Sequence, residues 1–147
     1  VDIDLHKVSY IEETAGYWRK ANQIHNWFVQ NVQNGVDDCG SYSVSHEQLQ
    51  QLLDTVNDIL SKVKLVDGVL NTGIRFSNGV ETRLTQPGKV VANPEVCASL
   101  PTVSGCLFGG TDYDQMYVQD LKDTKQILTN ALDKKYQFDD YKYQSSW

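Results

Sequence analysis

A chain of 147 residues is the size of one ordinary domain, long enough to bury a core without disulfides or metal. Its formal charge of −6, with nine acidic residues before Asp67 and ten from it onward, argues against a phosphate-neutralising nucleic-acid surface. No apolar run is long enough to cross a bilayer, and cysteines at 39, 97 and 106 without CxxC spacing favour reduced thiols over a disulfide framework or zinc knuckle.

Val1 to Val8 alternate apolar and polar residues, which predicts a half-buried strand. Thr14 is a plausible cap for the helix that follows, with Gly16 early in it. At about 100° per residue, Tyr17, Ala21, Ile24, Phe28 and Val32 fall on one arc of that helix, flanked by Trp18, His25 and Val29. Trp27 falls about 80° off the arc, and Asn34–Gly35 is the expected stop. VDDCGSYSV reads as a loop. Ser45 and Gln48 then form a capping box opening a regular helix, with Leu49, Leu52, Leu53, Val56, Ile59, Leu60 and Val63 on its apolar face.

From Asp67 the composition shifts to short apolar runs broken by turn residues. Ile74–Phe76 and Val80–Leu84 flank Ser77–Asn78–Gly79 and predict a small hairpin. Pro94 can open a single helical turn. Leu107 and Phe108 suggest partial burial of the glycine-rich stretch around them. Thr111 is the expected cap of a third helix, whose face is Tyr113, Tyr117, Leu121, Thr124, Leu128 and Ala131, supported by Met116, Ile127 and Leu132. Tyr141 and Tyr143 alternate with Lys142 and Gln144 as a final strand. The expected architecture is α+β: one domain over 1–147, with three main helices packed on a small sheet formed by the N- and C-terminal strands.

Candidate chemistry concentrates in a few places. His25 on an apolar arc is either a satisfied core histidine, with Asn22 or a loop carboxylate as partner, or a pocket residue. Trp18 and Arg19 beside it, with Asn22, offer an indole and a cation to an anionic planar ligand or a partner side chain. Asp38 and Cys39 could supply a base or nucleophile with His25, although adjacent carboxylates oppose thiolate formation and no metal-ligand spacing is present. The glycine-rich turn into Thr111 and Asp112 looks like a helix N-terminus, but its acids would repel phosphate and no phosphate-loop lysine follows. No metal or cofactor is expected.

Three stretches, GYWRKANQIHNWFVQNVQNGVDDCG, LPTVSGCLFGGTDYDQMYVQDL and the closing YKYQSSW, resemble a family of small tailed-phage and prophage proteins. In that family a YWRKAN-x-IH-x-WFV helix, a DDCG loop and a TDYD segment recur. The resemblance covers about half the chain; residues 69–98 fall outside it and read as a variable insertion, and Cys106–Leu107–Phe108 stand where the family commonly has phenylalanines. It implies a phage-encoded accessory protein of the host cytoplasm and no reaction, in keeping with the absence of a recognisable secretory leader.

The leading expectation is a non-catalytic protein that binds and neutralises a host component, either a host or defence protein or a nucleotide-like signal, without touching nucleic acid or membrane. One alternative is a small enzyme using His25 with Asp38 or Cys39. Another is a virion structural or assembly module. If the three recognisable stretches converge, Trp18, Arg19, Asn22, His25, Asp38, Cys39, Thr111, Asp112 and Tyr113 would line one pocket.

Overall fold

The computed structural model describes residues 2–105 and 108–146. The expected burial of Leu107, the thiol of Cys106, the start of the N-terminal strand at Val1 and the closing Trp147 lie outside them.

Among the described residues the architecture is α+β, with three α-helices and four strands. In chain order these are α1 (Asn22–Asn31), β1 (Ser41–Val44), α2 (His46–Lys62), β2 (Leu65–Ser77), β3 (Val80–Val91), α3 (Gln115–Ala131) and β4 (Tyr141–Gln144). The strands make two separate antiparallel pairs, β1 with β4 and β2 with β3. Among the described residues, therefore, no single sheet joins the two terminal segments. The segment expected as its N-terminal strand carries only a 3-10 turn at Leu5–Lys7, and Ile3 and Leu5 are exposed. Two causes act together there. The carboxylate of Asp4 accepts from the His6 N–H, a local bond that competes with extended pairing, and β4 already pairs with Ser41–Val44.

α2 follows its sequence pattern closely. Ser45 and Gln48 form the reciprocal capping box, and Leu49, Leu52, Leu53, Val56 and Ile59 are buried. This face packs on Leu121 and Leu128 of α3 and on Ile24 and Phe28 of α1 in one core.

α1 begins at Asn22, well after Thr14, and Tyr17 is exposed rather than core. Tertiary docking overrides helical periodicity here. Gly16 lies so close to α3 that a Cβ on it would stand 2.3 Å from Ile127, and Lys20 takes a left-handed φ of 61° that turns the chain into the helix. Trp27, off the expected arc, is buried with its ring edge-on to Phe28. At the other end the chain leaves the helix through left-handed Asn34 and Gly35, whose N–H reaches back to the Val29 carbonyl.

α3 is capped by Asp114, not Thr111: its carboxylate accepts from the N–H groups of Met116 and Tyr117. The preceding residues are held extended because the Tyr113 carbonyl accepts from the Val91 N–H and Asp114 bridges Val90. Met116 points to solvent and does not support the apolar face.

The hairpin is larger than the sequence suggests, running from Leu65↔Val91 to Ser77↔Val80 with a bulge between Asn71 and Gly73. Its root rests on the body through buried Leu70 and Val91. Beyond the bulge it stands clear. Among the described residues no helix is long and apolar enough to cross a membrane.

Candidate functional site

Asn22, the first residue of α1, is buried, and its amide joins two loops. Its Oδ1 accepts from the Val103 N–H at 2.9 Å and its Nδ2 donates to the Gly110 carbonyl at 3.0 Å. The glycine turn can come this close only without side chains. A Cβ on Gly109 would stand 2.6 Å from the Lys20 carbonyl oxygen.

One turn further on, His25 uses both ring nitrogens. Nε2 lies 3.0 Å from Asp37 Oδ2 and Nδ1 lies 2.7 Å from the Tyr143 hydroxyl. With a proton on Nε2 and none on Nδ1 the ring donates to the aspartate and accepts from the phenol. Tyr143 on β4 stacks flat on Phe28, with ring centroids 3.9 Å apart. Burial, and then the negative charge of Asp37, push its phenol well above the ordinary range, so the hydroxyl stays a donor. The partner of His25 is thus a loop carboxylate, as one sequence reading allowed, together with a tyrosine that no local pattern reveals.

The DDCG loop is equally committed. Asp38 Oδ1 accepts from the Gly40 N–H and the Tyr42 hydroxyl, both at 2.9 Å, and these two bonds hold its carboxyl below the ordinary range. Cys39 takes a left-handed φ of 58°, and its carbonyl accepts from Gln144 Nε2. Its thiol is free, as is that of buried Cys97, which desolvation pushes up. Trp18 donates from its indole to Thr124 Oγ1 at 2.8 Å, while Arg19 is exposed.

The nine expected pocket residues do not share one pocket. Trp18, Arg19, Asn22 and His25 line a cleft of about 1370 Å³. Asp112 and Tyr113 line a second hollow of about 280 Å³ against the hairpin root, where Asn71 Nδ2 donates to Asp112 at 2.7 Å. The Thr111 carbonyl accepts from Thr102, and Asp38 and Cys39 border neither hollow. The DDCG stretch reaches α1 through Asp37, and the glycine-turn stretch reaches it through the Val103 N–H, the Gly110 carbonyl and the Phe108 ring, whose centroid lies 5.4 Å from that of His25.

The large cleft lies between the extended segment 10–21, the last turns of α3 and residues 136–146. Exposed Tyr10, Ile11, Tyr17 and Phe138 line it; of these only Tyr17 belonged to a sequence pattern, and that pattern placed it in the core. Its acids (Glu12, Glu13, Asp139, Asp140) outnumber its cations (Arg19, Lys20, Lys142). Among the described residues no group of three or more His, Cys, Asp or Glu is placed to hold a metal ion.

Set beside known proteins, the chain matches no family model, no curated protein and no solved structure.

Proposed function

We propose that this chain works by binding a protein partner, as expected of a phage-encoded accessory protein in the host cytoplasm, and that the large cleft is where the partner docks. The observation that carries this reading is the contrast inside the cleft. Its polar groups at Trp18, Asn22 and His25 are spent on internal hydrogen bonds, while Tyr10, Ile11, Tyr17 and Phe138 are left to solvent. Apolar surface bordered by mixed charge with acids in slight excess suits a protein segment carrying apolar and basic side chains. A nucleotide-like signal would need cations in excess, and here the acids are in excess. Catalysis by His25 with Asp38 or Cys39 has less in its favour, because His25 is paired with Asp37 and Tyr143 instead.

The test is affinity isolation of the tagged chain from host cells beside the variant Phe138→Lys, followed by native mass spectrometry. A host protein held at fixed stoichiometry by the wild type and lost from the variant supports the reading. A retained small molecule of a few hundred daltons, lost on His25→Ala, would overturn it. A second reading, a virion assembly module, is favoured by the bare hairpin beyond the Asn71/Gly73 bulge.

A further inference from the structure

From Asn71 to Arg83 every residue of the β2–β3 arm is exposed, and the ladder continues out to Ser77↔Val80. The arm extends roughly 20 Å past its bulge, at about 3.3 Å per residue. A two-stranded ribbon with both edges in water is marginal by itself. This one also leaves Ile74, Phe76 and Val80 uncovered, Phe76 at 74% exposure. Ile74 and Phe76 share a face, with Arg83 and Glu81 as their cross-strand partners.

We infer that the tip of this arm docks into the aromatic cleft of a second copy of the chain. The inference rests on the reading of that cleft as a protein-binding site and names an occupant for it. Three observations select a second copy. First, chemistry matches: the tip offers Ile74, Phe76 and Val80 with Arg75 and Arg83, and the cleft offers Tyr10, Ile11 and Phe138 beside Glu12, Asp139 and Asp140. Second, charge matches. Each chain carries −6, so two copies repel at long range, yet residues 71–86 contain two arginines and one glutamate. The cleft's four acids exceed its three cations by one, so seating that positive tip there puts net opposite charges at the contact.

Third, the arm and the cleft lie at opposite ends of α3. The arm root is held at the start of that helix, where Gln115 Oε1 accepts from the Lys89 N–H, and the cleft is lined at its end by Ile127 and Ala131. The helix of 17 residues is about 25 Å long at 1.5 Å per residue, so the arm is held away from the cleft of its own chain. Contact between copies is then head-to-tail, which builds chains or closed rings.

The experiment is sedimentation velocity on the full chain over a range of concentrations. The wild type should grow beyond a dimer with concentration. Phe76→Asp in the arm and Phe138→Lys in the cleft should each weaken self-association by more than about thirtyfold. Mixed together, they should form a one-to-one heterodimer and nothing larger, because the mixture retains one intact arm and one intact cleft. Both side chains are exposed, so melting curves matching the wild type will establish that each variant is folded. A wild type that stays monomeric, self-association that ignores either substitution, or folded variants that fail to pair would each overturn the inference. A monomer that still holds a host protein through Phe138 would leave the cleft reading standing and remove only the second copy as its occupant.

Discussion

The clamp around His25 and the arm beyond the β2–β3 bulge are built from similar residue types, aromatics beside charged and hydroxyl-bearing side chains. They use them in opposite ways. In the clamp, Phe28, Tyr143, His25 and Asp37 satisfy one another across α1, β4 and the DDCG loop. In the arm, Phe76, Ile74 and Val80 meet almost nothing but their cross-strand neighbours. An aromatic at a helix position can be closed off by three elements, whereas one on a projecting ribbon stays open until something outside covers it. The polar groups that looked like chemistry in the sequence serve here as joinery, and the surface left for recognition is apolar.

The sharpest way to break that comparison is to truncate one phenylalanine from each region. Phe28→Ala should cost about 3–5 kcal/mol, the usual loss for a large buried aromatic whose neighbours cannot collapse into the gap. Phe76→Ala should stay within about 0.5 kcal/mol of the wild type, as an exposed substitution does. Urea unfolding followed by far-UV circular dichroism measures both, at a chain concentration where self-association is absent. Equal costs would show the arm packed against the body, and the contrast would be lost.

Within the clamp, Asn22→Ala comes next. It leaves the Val103 N–H and the Gly110 carbonyl without their side-chain partner, at about 1–3 kcal/mol. Hydrogen exchange should rise at Val103 and nearby amides of the glycine-turn loop while α2 stays protected. Uniform loss of protection across the chain would instead mean that Asn22 supports the whole core. Tyr143→Phe is milder, about 1–2 kcal/mol, because it removes a single hydroxyl but leaves His25 Nδ1 unpaired. The imidazole resonances should shift while the ring stack on Phe28 persists; unchanged resonances would mean the hydroxyl does not engage the histidine.

Much of the body could be read from local rules. α2 carries its own cap and a complete apolar face, and β4 shows its alternation at Tyr141 and Tyr143. The Ser77–Asn78–Gly79 turn located the hairpin, with left-handed φ at Asn78 and Gly79. What misled were patterns whose partner lies far away. Tyr17 continues the periodicity of Ala21, Ile24 and Phe28, yet Gly16 must lie flat on Ile127, more than a hundred residues on, and that contact holds segment 8–21 out of helix. The alternation at the N-terminus is real but β4 pairs elsewhere. The site was half legible for the same reason. His25 and the DDCG loop announced themselves, whereas Tyr143 and the cleft-lining Phe138 acquire their roles only through tertiary placement.

The finest test of how tightly the body is closed is electrostatic. Asp120 on α3 is half-buried against α1, and desolvation raises its carboxyl above the ordinary range despite the bond it accepts from Gln23 Nε2 at 3.1 Å; Asp123 and Asp114 add to the rise. A raised acid holds its proton to higher pH in the folded chain than in the unfolded one. Between the two values the folded state binds more protons, so this group's contribution to stability falls as pH rises through that window. At neutral pH the ionised, partly buried carboxylate is therefore a net cost. Asp120→Asn keeps an oxygen to accept from Gln23 and removes the charge. It should melt above the wild type at pH 7, and the two curves should converge as pH falls through the carboxylate range. A gap that stays constant with pH would assign the gain to packing, and a variant less stable at pH 7 would mean that the charged bond to Gln23 outweighs the desolvation.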